Sequence, residues 1–241
     1  MPDRYFSAQP IDGPTVVLEG SQAHHLLHVM RAKPGLELIV FDGRGGQFVA
    51  EVTACKRSTV ELAVGTREQI ERELPLELTL AVAMPKGDRQ RWLIEKCTEL
   101  GVTRIVPLKT ARSVSKIEPR SSKGVEKLTR YVIEASKQCG RNRLMEIAEP
   151  TDWSTLLEES TANQRLFAHP GGQPMSKVQR QKAESRSIVI AVGPEGGFTD
   201  EEVTQAVELG WQQVGLGERI LRIETAALAL VSVSTISAKD C

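Results

Sequence analysis

Beyond Pro75 the chain alternates short apolar runs with longer amphipathic segments, and this alternation limits its fold more than any other feature. Leu78–Met84, Arg104–Leu108, Arg165–Ala168, Ile188–Val192 and Gln213–Leu216 read as strands, with helical patterns between them. Parallel neighbours need a crossover, usually a helix, so the pattern predicts an α/β domain with a mainly parallel sheet. Two helices carry clear end signals. Along Asp88–Leu100, Leu93, Cys97 and Leu100 form a stripe, and Gly101 then supplies a C′ position followed by apolar Val102. Thr199 and Glu202 make a capping box, Phe198 and Val203 are spaced for a hydrophobic staple, and Gly210 can end that helix.

The first 70 residues follow another rule. Thr15–Leu18, Leu36–Phe41, Gln47–Ala54 and Thr59–Val64 are short β-type runs separated by Gly-rich turns. One helix, about Ser21 to Arg31, interrupts them, with Ser21 as N-cap and Ala23, Leu26, Leu27 and Met30 on one face. Residues 66–73 read as a polar linker. The N-terminus has no apolar signal core, and the charge-free stretch Thr225–Ala238 is shorter than the ~20 residues a membrane helix needs. Cys55, Cys97, Cys139 and Cys241 lack CxxC spacing, so free thiols in a reducing cytosol are expected, and no metal site.

With 31 basic and 31 acidic side chains the formal charge is zero. Its distribution is uneven: 84–146 holds 15 basic and 7 acidic residues, 147–241 holds 8 and 13. Within the basic segment, Val125, Leu128, Val132, Ala135 and Cys139 share one helix face, and Lys123, Lys127, Arg130, Glu134 and Lys137 share the opposite one. Arg141 continues that row, Arg112, Lys116 and Arg120 precede it, and Arg143 follows. A solvated face usually mixes signs for i,i+4 pairing. Here the excess of cations points instead to phosphates and to salt-sensitive nucleic-acid binding. His24, His25 and His28 lie beside Arg31 and Lys33, and Arg4, Tyr5 and Phe6 form a second group suited to stacking on bases. His24 and His28 have chelating spacing, but no HExxH pattern supports a metal.

Three loops follow strands. Gly193–Gly197 is neither a dinucleotide fingerprint nor a phosphate-binding loop of Walker type, and it contains no lysine. Its acidic surroundings suit a neutral or cationic ligand. Leu216–Ala226 leads into an apolar helix that must be buried in a core or a subunit interface, with Arg222 and Glu224 at its entrance. The third loop is Ala168–Gly172. Ligands of open α/β sheets bind at such strand ends.

GPEGGF at 193–198, LGERILRIETA at 216–226, KGDR at 86–89, EKCTELGV at 95–102 and EASKQCGR at 134–141 resemble the RsmE family, as do HHLLHVMR at 24–31 and FDGRGG at 41–46. These are the bacterial 16S ribosomal RNA uridine-N3 methyltransferases of the SPOUT superfamily. The resemblance implies a PUA-like β-barrel RNA-binding domain over 1–70 and an α/β methyltransferase domain with a trefoil knot over 74–241. It also implies S-adenosylmethionine as methyl donor, a cytoplasmic homodimer with active sites at the subunit interface, and small-subunit RNA as partner. Ile223 stands where the family more often has Thr, and Glu218 where it often has Pro.

Carried onto this chain, the donor pocket comprises Ala168, His169, Pro170, Gly193, Pro194, Glu195, Gly196, Gly197, Leu216, Gly217, Ile220, Leu221, Arg222, Thr225, Ala226 and Ala227. Arg222 would orient the target base, and Glu224 would accept its proton or hold Arg222. RNA would meet Arg4, His24, His25, Arg31, Lys33, Lys86, Arg89, Arg112, Lys116, Lys123, Lys127, Arg130, Lys137 and Arg141. Three rival readings are a non-catalytic RNA-binding protein, a methyltransferase with Cys139 as nucleophile, and a nucleotide-phosphate enzyme using the Gly193–Gly197 loop.

Overall fold

The computed structural model describes residues 3–113, 122–178 and 187–239. The first sheet contains β1 (Arg4–Phe6), β2 (Thr15–Leu18), β3 (Glu37–Phe41), β4 (Gln47–Cys55) and β5 (Val60–Glu68), in spatial order β1-β3-β4-β5-β2. Period-two alternation orients the strands: β2 exposes Thr15 and Val17 and buries Val16 and Leu18. Tyr5, Leu18, Leu26, Val40, Val52 and Leu62 belong to the core behind the sheet. Arg4, Tyr5 and Phe6 are therefore not an exposed stacking cluster. They form a strand parallel to β3, with Arg4 and Tyr5 buried.

Between β2 and β3 the helix departs from expectation. Helix α1 (Gly20–His24) has Glu19 as an N-cap without a side-chain bond, so Ser21 sits inside the first turn and caps nothing. It continues as a π-helical turn, His25–Val29. The wider winding rotates Met30 off the core, leaving it exposed while Ala23 and Leu26 stay buried. The Ala32 N–H closes the turn on the Leu26 carbonyl. Arg31 is held at a φ of 52°, a left-handed conformation that costs a side chain about 1 kcal/mol.

The polar stretch 66–73 is more than a linker. β5 runs to Glu68, Arg72 donates to the Gly140 carbonyl at 2.8 Å, and Glu71 pairs with Arg143 at 3.0 Å. The first compact unit comprises Met1–Glu73 together with Ile133–Leu144.

The second unit, Leu74–Val132 with Met145–Cys241, contains β6 (Glu77–Val82), α2 (Asp88–Glu99), β7 (Arg104–Lys109) and the start of α3 (Ser122–Cys139). There follow β8 (Glu146–Ile147), β9 (Thr151–Asp152), α4 (Trp153–Glu159), β10 (Gln164–Pro174), β11 (Ser187–Val192), α5 (Asp200–Glu208), β12 (Gln212–Gly215) and α6 (Ile223–Lys239). Its strands run in the order β12-β10-β11-β6-β7-β8, with β9 also on β7, and every pairing is parallel. The inner strands are nearly continuous hydrophobic runs, as a sheet covered on both faces requires.

The predicted helix ends form. At α2 the Gly101 N–H bonds to the Thr98 carbonyl and the Val102 N–H to that of Cys97, a Schellman motif. α5 ends the same way through Gly210 and Trp211. Its capping box is reciprocal: Thr199 Oγ1 accepts from the Glu202 N–H and Glu202 Oε2 from the Thr199 N–H. Phe198 is stacked in an aromatic cluster with Trp153 and Phe167, its ring centroid 4.5 Å from that of Trp153.

One strand departs from the sequence reading. β10 does not stop at Ala168. It bulges and resumes at Gln173, both residues pairing with Val214 of β12. Helix α6 buries Ala227, Leu230 and Val231 and leaves Ile236 exposed.

Candidate active site

Three segments meet at the bulge of β10 and the carboxyl ends of β11 and β12, around a cavity of about 140 Å³. The β10 bulge contributes Ala168, His169 and Pro170, and the loop after β11 contributes Gly193, Pro194, Glu195 and Gly197. The segment after β12 contributes Leu216, Gly217, Glu218, Arg219, Ile220 and Leu221, and α6 contributes Ile223 and Ala226. Val192, Phe198 and Val214 complete the lining. The sequence reading omits these three, together with Glu218, Arg219 and Ile223. Val192 and Val214 are strand residues just ahead of the loops, and that position is the signal that finds them. Phe198 lies under Gly193, where a Cβ would meet its ring at 3.0 Å.

Four residues assigned to this pocket do not line it. Gly196 turns its carbonyl to Arg112. Arg222 and Thr225 are exposed, and Ala227 is fully buried in the core. The wall is mostly apolar, with Glu195 and Glu218 as its carboxylates, a composition that fits a ligand joining a flat apolar ring to a cationic centre.

A second cavity, about 210 Å³, adjoins the first and shares Pro194, Glu195 and Ile223 with it. Its other walls are Ala83, Met84 and Pro85 after β6, Lys86 and Arg89, Leu108 of β7, and Ser113. Arg89 is not a free phosphate contact, because its Nη1 lies 3.6 Å from Glu195 Oε1 and 3.8 Å from Glu224 Oε1. Glu224 therefore faces Arg89 rather than Arg222 as its ion-pair partner among the described residues. It is 6% exposed, and its Oε2 has no hydrogen-bond partner there. A buried carboxylate oxygen left unbonded is costly, and such groups often mark functional sites.

The basic residues separate into two groups. Lys86, Lys127 and Arg130 are exposed, as are His24, His25, Arg31 and Lys33, although His25 Nδ1 lies 3.0 Å from the Tyr5 hydroxyl and Lys127 Nζ lies 5.9 Å from the Tyr131 ring centroid. The others are engaged. Arg112 donates to the Gly196 carbonyl at 2.7 Å and to that of Phe198 at 3.2 Å. Arg4 is buried, with its guanidinium over the Phe41 ring and Nη2 bonded to Asn142 Oδ1 at 2.6 Å; burial holds its pKa below the ordinary value. Arg141 is 4% exposed and forks onto Glu73, with Nε 2.9 Å from Oε1. Lys137 is half-buried over the Tyr5 ring and paired with Glu134 at 3.1 Å. Arg4 and Arg141 therefore cannot meet a phosphate as placed, and Lys137 is already paired. Lys116 and Arg120 lie outside the described residues, and of Lys123 only its place on α3 is described. The apolar stripe holds at Leu128, Val132 and Ala135, while Val125 is exposed.

Cys139 lines neither cavity. Cys97 is fully buried, and burial pushes its thiol pKa up, so it is a poor nucleophile. Among the described residues no cluster of three or more His, Cys, Asp or Glu is placed to hold a metal ion, and no helix is long and apolar enough to cross a membrane.

Residues 72–235 match the RNA methyltransferase domain family, and residues 18–64 match the RNA methyltransferase PUA domain. Fold and family match together place the chain among the RNA methyltransferases. The ribosomal RNA small subunit methyltransferase E of Synechocystis is 36% identical over 92% of this chain and 73% of its own length. That of Bacillus subtilis is 31% identical over 95% and 94%. The chain belongs to the ribosomal RNA small subunit methyltransferase E family. A Legionella pneumophila methyltransferase solved with S-adenosylmethionine superposes with a TM-score of 0.90, at 30% identity and 98% coverage of both chains. The Neisseria gonorrhoeae ribosomal RNA small subunit methyltransferase E, also bound to S-adenosylmethionine, gives 0.87 at 31% identity and the same coverage.

Proposed function

We propose that this protein transfers the methyl group of S-adenosylmethionine to N3 of a uridine in 16S ribosomal RNA. The observation that carries this reading is the convergence of three loops, distant in sequence, on one apolar cavity at the strand ends. Two structural relatives that superpose over 98% of the chain are solved with that donor bound. Bound here, the donor supplies an electrophilic methyl on a sulfonium centre. Ile220, Leu221 and Leu216 offer apolar walls, the Gly193–Gly197 and Leu216–Gly217 backbone offers polar groups, and Glu195 and Glu218 suit the positive charge.

The uracil N3 proton is weakly acidic at neutral pH, so its removal needs a base or stabilisation of the uracil anion. Glu224, a buried and incompletely bonded carboxylate beside Arg89, lines neither cavity, so it is placed to hold Arg89 rather than to touch the base. Arg222, exposed and outside both cavities, acts as a catalytic group only by turning inward when RNA binds. The basic residues Lys86, Lys127 and Arg130, with His24, His25, Arg31 and Lys33 on the first unit, are the RNA-facing set. The reading includes a PUA-like RNA-binding role for the first domain, a trefoil knot in the second, and a cytoplasmic location. It also includes a homodimer, supported by the exposed Ile236 on α6, a helix that buries Ala227, Leu230 and Val231.

The test is mass mapping of small-subunit RNA from cells with and without the protein, together with calorimetry of donor binding. The reading predicts the loss of one N3-methyluridine and a saturable donor site. An unchanged methylation map would overturn it.

A further inference from the structure

We propose that the second cavity receives the acceptor base, with Arg89 as the group that faces its carbonyl oxygens and Glu195 as the acceptor of its N3 proton. This rests on the reading of the first cavity as the donor site.

The argument begins with the shared wall. Pro194, Glu195 and Ile223 line both cavities, so a group in one and a group in the other meet across that wall. Glu195 is the one carboxylate among the described residues lining the second cavity, and it also faces the first. The remaining surface is apolar at Ala83, Met84, Pro85 and Leu108, as a flat pyrimidine ring requires, and the exposed Lys86 stands at its edge where a backbone phosphate would lie. Arg89 brings a guanidinium fork into this apolar setting, and a fork suits an imide whose oxygens flank the reacting nitrogen.

Arg89 is held between two carboxylates rather than locked to one. Both separations, 3.6 Å and 3.8 Å, are too long for hydrogen bonds, so neither carboxylate occupies its donors. Glu224 is buried and acts through Arg89, which makes it a positioning residue. In the step itself, Glu195 takes the N3 proton and the ring nitrogen forms the bond to the methyl carbon. The carbon–sulfur electron pair stays with sulfur. A sulfonium cation, a neutral imide and a carboxylate become a thioether, an N-methyl imide and a carboxylic acid, so atoms and charge balance.

The experiment compares the wild-type protein with Arg89→Ala, Arg89→Lys, Glu195→Gln and Glu224→Gln. Three quantities are measured: donor affinity by calorimetry, saturation-transfer NMR of uridine 5′-monophosphate on donor-saturated protein, and single-turnover methylation of small ribosomal subunits. Arg89→Ala is expected to keep wild-type donor affinity, which also reports that it is folded, while losing the nucleotide signal and about 10²–10³-fold in rate. Arg89→Lys should recover part of the rate, since it restores the charge without the fork. Glu195→Gln should keep the nucleotide signal and lose rate by about 10²-fold or more. Glu224→Gln should lose rate only partly and weaken the nucleotide signal. An Arg89→Ala variant with wild-type rate and nucleotide signal overturns this inference while the donor-site reading stands. A wild-type protein that neither binds donor nor methylates overturns both.

Discussion

The Arg112 guanidinium donates a 2.7 Å hydrogen bond to the Gly196 carbonyl, so a residue from the segment after β7 braces the loop that carries Gly193–Gly197. Next to it, the Ala111 N–H bonds to Glu202 Oε1, the same side chain that closes the α5 capping box. Charge spacing assigns Arg112 to RNA, and its bonds assign it to the donor loop. Arg112→Ala is expected to weaken donor binding about tenfold, a loss of roughly 1.4 kcal/mol that matches one charge-assisted hydrogen bond. The salt dependence of RNA binding should stay as in the wild type. Calorimetry and a salt titration separate the two roles, and a reduced salt slope with full donor affinity would return Arg112 to the RNA surface.

Lys127 and Arg130 are exposed where Arg141, on the same predicted row, is buried against Glu73. Replacing Lys127 or Arg130 by Ala should lower the log–log salt slope of RNA binding by about 0.7–0.9 each. Arg141→Ala should leave that slope alone and destabilise the protein by roughly 3 kcal/mol, because Glu73 is then left without its partner. Urea denaturation and RNA titration on the three variants decide the matter. An Arg141 variant of wild-type stability would mean the ion pair contributes little.

Tyr5 is buried, its hydroxyl 3.0 Å from His25 Nδ1, and its pKa is raised to about 12 by burial first and then by Asp3 and Glu134. The neutral phenol is the form the folded state favours. That stabilisation is full below the unfolded tyrosine pKa of about 10 and is lost as pH rises towards the folded value, by roughly 2 kcal/mol at most. Unfolding free energy should therefore fall more steeply between pH 10 and 12 in the wild type than in Tyr5→Phe. Parallel slopes for the two proteins would show that Tyr5 is not responsible.

What could be read in advance was local. Thr199 and Glu202 are three residues apart and Gly101 directly follows its helix, so capping and Schellman geometry are written in short windows. The strand ends that deliver the donor loops follow from the same alternation. The Arg89–Glu224 pairing, the recruitment of Ile133–Leu144 to the first unit and the burial of Arg4 and Arg141 depend on contacts between distant segments. A charged residue has the same period whether it ends in water or in a buried pair, so a stripe of cations reads as one surface even when its members separate. The π-helical turn at His25–Val29 is invisible for a related reason, since it keeps helical composition while changing which residues face inward.

The bulge in β10 supplies the last prediction, because it depends on a glycine with no room for a side chain. A Cβ on Gly172 would lie 2.6 Å from the backbone N of Gly215 and of Val214, and one on Gly215 would lie 2.5 Å from the Gly172 carbonyl oxygen. These are backbone atoms of the paired strand, so the clash cannot be relieved by rotating a side chain. Gly172→Ala must push β12 away from β10, and with it Val214 and the segment beginning at Leu216, which line the donor cavity. The expected cost is roughly 1–3 kcal/mol of stability, as for other overpacked sites, together with a clear loss of donor affinity. Gly171→Ala is the control: its Cβ would meet only the His169 ring, at 3.4 Å, which is ordinary contact. Its effect on stability should stay within about 0.5 kcal/mol. Urea midpoints and donor calorimetry on the pair give the answer. Equal behaviour of the two variants would mean that the close approach of β10 and β12 does not hold the cavity in shape.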